Sequence, residues 1–146
     1  MIEELRTLYE RDIQRLHTEI DSFQQDAHLW QKSGHVPNSA GNLALHLVGN
    51  LSTYIGNTLG KQPYVRNREA EFATKNLPKQ ELLRQIEHTK AVVITSLKAL
   101  QTEDLAQGYP EEVLGYKMTT GFFLMHLLAH LSYHLGQVNY LRRILE

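Results

Sequence analysis

Residues 126–137 read His126-Leu-Leu-Ala-His130-Leu-Ser-Tyr-His134-Leu-Gly136-Gln137. The spacing of this stretch is helical. Phe123, Leu127, Leu131, Val138 and Leu145 fall on one apolar face, and the flanking pattern predicts a helix from Thr119 or Thr120, either of which can cap it, to about Leu145. Residues four apart on a helix lie on one side and drift by about 40° per step. His134 therefore points into the core, His130 sits at its edge, and His126 lies furthest out. Two histidines four apart can share one metal ion, but they need a third ligand from elsewhere.

Working outward, three further segments carry the same periodicity. Ile2, Leu5, Tyr9, Leu16, Ile20 and Phe23 predict a helix from about Ile2 to Gln25. Gly34 and Pro37 break the pattern, and Asn38 or Ser39 supplies a cap for a second helix from about Ala40 to Leu59. Leu43, Leu47, Leu51, Tyr54, Ile55 and Thr58 form its inward face, and Gly60 is read as its C-terminal glycine. Lys61 to Leu77 shows no clear period and is read as a long loop. Pro78 opens a third helix running to about Leu100, with Leu82, Leu83, Ile86, Val93, Leu97 and Leu100 as its stripe. The expected fold is all-α: a four-helix bundle in one domain, 1–146, with a long loop between the second and third helices. The connection lengths leave the topology open.

The second helix offers the missing ligand. His46 lies at the boundary of its apolar arc, and Asn50, one turn on, flanks it. His46, His130 and His134 on facing helices make a natural three-nitrogen site. The competing reading is that each is a core histidine satisfied by hydrogen bonds; two buried imidazoles on one helix are costly unless each finds a partner. Asn50, Tyr54, His126 and Gln137 are read as lining the pocket or supporting the ligands. His17, His28, His35 and His88 have no comparable grouping and are read as surface residues, and Trp30 as a lid over one bundle end.

The bulk numbers narrow the function classes. A formal charge of -1 over 146 residues offers no basic field for nucleic acid. With no cysteine, disulfides, thiolate metal sites and cysteine nucleophiles are excluded. The start lacks the order of a signal peptide, and no stretch approaches about 18 apolar residues, so a cytoplasmic protein without membrane partners is expected. The loop Tyr64-Val-Arg66-Asn-Arg68-Glu69-Ala-Glu71-Phe72 is read as a solvated crossover pinned by its aromatics, in preference to an anion-recognising wall.

His46-Leu-Val-Gly49-Asn50-Leu51, His130-Leu-Ser-Tyr-His134-Leu-Gly136-Gln137-Val, the Tyr140-Leu-Arg-Arg that follows and the Arg66–Phe72 loop resemble the DinB-like superfamily. The likeness covers nearly the whole chain, and H-x-x-x-H followed by Gly-Gln is its most specific piece. The resemblance implies a four-helix bundle with His46, His130 and His134 as ligands to a divalent ion, commonly nickel or zinc, and a homodimer. Some relatives transfer low-molecular-weight thiols to electrophiles, others are described only as candidate hydrolases, and most have no established reaction.

Three imidazoles leave coordination positions open for water or a small-molecule substrate, the arrangement of a catalytic site. The ion would acidify a bound water or a bound thiol alike, so the ligands do not choose between hydrolysis and thiol transfer. Hydrolysis usually wants a general base, and Leu131 stands where the helical zinc-protease motif carries a Glu. This favours a thiol transferase over a hydrolase, with no catalytic residue named. A non-catalytic metal- or ligand-binding bundle, of the kind a stress response uses, and a purely structural bundle are the alternatives.

Overall fold

Four long helices account for most of the chain. The computed structural model describes all of residues 1–146, and no β-strand occurs in it. Helix α1 spans Ile2–Asp21, α2 Ala40–Leu51, α3 Arg68–Ala73, α4 Lys79–Ala99 and α5 Thr120–Leu145. Ser39 caps α2 by accepting from the Asn42 backbone N–H at 3.2 Å, and Thr119 caps α5 by accepting from that of Phe122 at 3.1 Å. α1 stops before the expected Gln25, yet Phe23 stays buried in the connection that follows, as does Leu29.

Helix α1 packs against α4 and α5, and α2 packs against the same two. Consecutive helices α1 and α2 are therefore diagonal in the bundle, which is why their connection is long. One apolar core runs through all four long helices. Tyr9 is fully buried in it and donates its hydroxyl to the Leu124 carbonyl at 2.6 Å, tying α1 to α5. No helix is long and apolar enough to cross a membrane.

Helix α2 differs from the expectation in three ways. Every residue from Ala40 to Leu51 is buried, where one inward face was expected. The main cause is α3, a short helix inside the segment read as plain loop, which lies across the other face of α2, while Trp30 and Leu29 cover Gly41 at its start. Asn42 fastens it there, its Nδ2 donating to the carbonyls of Glu71 at 3.0 Å and Thr74 at 2.8 Å.

Second, α2 continues as a π-helical turn over Ser52–Asn57, in which the Thr58 N–H reaches the Thr53 carbonyl at 3.0 Å and the Gly60 N–H that of Ile55 at 2.9 Å. The Tyr109 hydroxyl donates to the Tyr54 carbonyl at 2.8 Å.

Third, Gly60 is not the left-handed terminator. That conformation falls on Lys61, at φ 54°. Gly60 is needed for close approach: a Cβ there would overlap the Ser96 hydroxyl and stand 2.6 Å from the Ser96 Cβ on α4.

The first connection is also better anchored than expected. His28, read as a surface residue, is half-buried, with Nδ1 3.0 Å from Glu146 Oε2. The same carboxylate accepts from the Gln24 and Gln25 backbone N–H groups. Trp30 is half-buried over the start of α2, where a Cβ on Gly41 would come within 2.7 Å of its ring.

Candidate metal centre

His46 from α2 and His130 and His134 from α5 meet between the two helices. His46 Nε2 lies 3.2 Å from His130 Nε2, which lies 3.1 Å from His134 Nε2. His46 is buried and the other two are half-buried. Bonds of about 2.1 Å to a common ion would set ligating nitrogens about 3.0 Å apart at octahedral angles and about 3.4 Å apart at tetrahedral ones. Both of these separations fall inside that range, and all three ligand nitrogens lie within 4.8 Å of one another.

The outer nitrogens explain how the rings are oriented. His46 Nδ1 donates to Glu71 Oε1 at 3.1 Å, and His134 Nδ1 donates to Gln137 Oε1 at 2.6 Å. Each bond places the hydrogen on Nδ1 and leaves the Nε2 lone pair facing inward. His130 Nδ1 is buried with no partner.

Neutrality is enforced by the surroundings. Burial, reinforced by the charges of His134, His46, His126 and Arg66, pushes His130 down to about 4. Burial likewise lowers His134, against the opposing hydrogen bond of Gln137. Converging imidazole nitrogens that resist protonation suit a borderline divalent cation, and imidazole donors take zinc, nickel, copper and iron alike. The three histidines form a group able to hold a metal ion.

Glu71 is the residue beside the three histidines that sequence reasoning missed. Its carboxylate accepts Arg66 Nε at 2.8 Å on one oxygen and Arg66 Nη2 at 3.0 Å on the other, so the pair is bidentate. Glu71 is 6% and Arg66 15% exposed, which corrects the reading of surface pairs on a solvated crossover. Burial raises the Glu71 carboxyl, but hydrogen bonds from His46 and Arg66 outweigh it and hold the group below the usual carboxylate range. The signal in the sequence was the mixed Arg–Glu run itself; its burial depends on α3 docking through Asn42.

The remaining expected residues divide. Gln137 touches His134 directly. Asn50 is buried one turn beyond His46, and its Oδ1 has no partner. Tyr54 is half-buried beneath the Arg66 guanidinium, 5.7 Å from its ring centroid. His126 is exposed, stacks on Phe123 at 5.9 Å, and makes no hydrogen bond to the three histidines. Its position one step further round α5 turns it outward. Phe72 of α3 covers His46 at a ring separation of 5.0 Å. A cavity of about 450 Å³ opens beside His134, walled by Tyr133, Tyr140, Leu43, Val36 and Pro37.

Comparison with known proteins agrees with this architecture. A family model described as "Protein of unknown function (DUF1572)" matches residues 1–146. The chain is similar to the crystal structure of a DinB-like protein from Bacillus cereus ATCC 10987, with a TM-score of 0.67 and 19% identity, over 90% of this chain and 84% of that one. At that identity the likeness establishes the fold. No curated protein matches the chain.

Proposed function

The chain belongs to the DUF1572 family of proteins of unknown function, and on that premise we propose that this member is a metal-dependent enzyme transferring a low-molecular-weight thiol to a small electrophile. The observation that carries the reading is the convergence of three Nε2 atoms, with the outer nitrogens of His46 and His134 held by Glu71 and Gln137. When bound, a divalent ion such as nickel or zinc supplies Lewis acidity that favours thiolate over thiol. His46, His130 and His134 would hold it.

Thiol transfer is preferred to hydrolysis because the carboxylate touching the triad is unavailable as a base. Glu71 lies on the Nδ1 side of His46 and is gripped by Arg66, while Asn50, Tyr54 and Gln137 orient groups better than they accept protons. The aromatic cavity beside His134 suits the apolar body of an electrophile. In the transfer a sulfur–carbon bond forms, the bond to the leaving group breaks, and the thiol proton passes to buffer.

Zinc- or nickel-loaded protein is expected to accelerate the reaction of N-acetylcysteine with chlorodinitrobenzene above background, and His134→Ala to return the rate to background. Metal binding without turnover of this pair or of ester and amide substrates would leave a metal-binding module.

We also propose a homodimer built on α5. Phe122, Met125, Tyr133, Tyr140 and Ile144 are exposed along one side of that helix, with the small residues Ala129 and Gly136 between them. Sedimentation equilibrium is expected to give twice the chain mass, and Tyr140→Glu the chain mass. A wild-type monomer at tens of micromolar would remove the proposal.

A further inference from the structure

Gly49 lies three residues beyond His46, on the same face of a helix that is buried all round. Glycine inside a helix costs about 1 kcal/mol relative to alanine, so its presence there calls for a physical reason. A Cβ on Gly49 would overlap Glu71 Oε2, stand 2.6 Å from Glu71 Cδ and 3.3 Å from Arg66 Nε. The side chain missing from Gly49 is the space that the Glu71 carboxylate occupies. The three nearest atoms that a Cβ would meet all belong to the Glu71–Arg66 pair.

From that space Glu71 reaches His46. One oxygen, Oε1, accepts from His46 Nδ1 at 3.1 Å and from Arg66 Nη2 at 3.0 Å; the other, Oε2, lies over Gly49 and accepts from Arg66 Nε at 2.8 Å. Asn42, one turn before His46, holds the α3 backbone at Glu71 itself. A single stretch of α2 thus fixes α3, admits its carboxylate and presents the histidine that the carboxylate orients.

We propose that Glu71 is the positioning residue for His46 and that Gly49 is its cradle, so the docking of the crossover helix sets the His46 tautomer and with it the metal affinity. The affinity half rests on the metal-site reading above; the tautomer half does not. Neither residue contacts the ion. Glu71 acts through His46, and Gly49 acts through Glu71.

The test uses the full chain with Gly49→Ala, Glu71→Ala, Glu71→Gln and the double variant Gly49→Ala/Glu71→Ala. Two quantities are read: the His46 tautomer in metal-free protein, from long-range proton–nitrogen correlation spectra, and zinc affinity by chelator competition. In the wild type His46 should carry its hydrogen on Nδ1. Gly49→Ala and Glu71→Ala should each lose that signature and bind zinc about 10- to 100-fold more weakly, the range for outer partners of a ligating histidine. Glu71→Gln, which keeps an acceptor, should retain the signature and lie within a few-fold of wild type. Once Glu71 is truncated, the added methyl has room, so the double variant should match Glu71→Ala rather than adding to it.

Additive losses in the double variant, or an unchanged tautomer in Gly49→Ala, would overturn the proposal. If Glu71→Ala does not fold, Gly49→Ala against Glu71→Gln decides the matter alone. A wild type that binds no zinc would refute the metal reading while the tautomer spectra still judge the cradle.

Discussion

Replacing His130 with alanine is expected to abolish zinc and nickel binding and to remove all metal-induced stabilisation. Its Nε2 is the middle atom of the three, 3.2 Å from that of His46 and 3.1 Å from that of His134. Without it the outer two histidines lack the nitrogen that brings them to one ion. For the wild type at an ion concentration about 1,000 times the dissociation constant, binding contributes about 4 kcal/mol. For a chain of this size that raises the melting temperature by roughly 10 °C. His130→Ala should melt at the same temperature with and without metal, and should carry none by plasma mass spectrometry. A metal-induced rise surviving in the variant would place the binding site elsewhere.

The second large effect is on the metal-free protein and runs with pH. His130 is held neutral, its pKa pushed from 6.5 down to about 4, chiefly by burial. Between those values the unfolded chain binds the proton and the folded chain does not, so stability falls as the solution is acidified through this window. A shift of this size corresponds to about 3 kcal/mol as an upper bound. His134, lowered in the same direction, adds to the loss. Glu71 acts in a different window. Its carboxyl is depressed below 4.5, so its contribution is present above that pH and lost only at lower pH. Urea unfolding in chelator should therefore show a marked decline from pH 7 to pH 4.5 in the wild type and a shallower one in His130→Leu. Parallel curves for the two proteins would show that His130 is not the group responsible.

Much of the bundle could be read from periodicity, because one buried stripe per helix is a local property of sequence. Ile2 through Phe23, Leu82 through Leu97 and Phe123 through Val138 mark their faces directly, and those residues are buried. His130 and His134 were legible for the same reason, since their spacing is confined to one helix. His46 was legible only as a boundary residue on a second helix. What periodicity could not report was anything created by docking. The solvated-looking run around Arg66 and Glu71 becomes buried because α3 folds onto α2, and α2 loses its polar face by the same event. Gly60 illustrates the limit differently: a glycine near a helix end suggests a left-handed residue, but here it marks contact with Ser96, a neighbour distant in sequence.

The π-helical turn over Ser52–Asn57 bears on which changes in chain length the fold can absorb. Such a turn holds one residue more than the α-helix it interrupts. Deleting a residue there would restore regular hydrogen bonding and leave everything beyond near its present orientation relative to His46, whereas a deletion in the α-helical residues 47–51 would swing it by about 100°. In that second case Gly60 would leave Ser96, and a neighbour bearing a side chain would be driven into α4. A one-residue gap is therefore expected to be tolerated within this short stretch with Gly60 kept in place, and not in the α-helical residues just before it, where length and helical register are coupled.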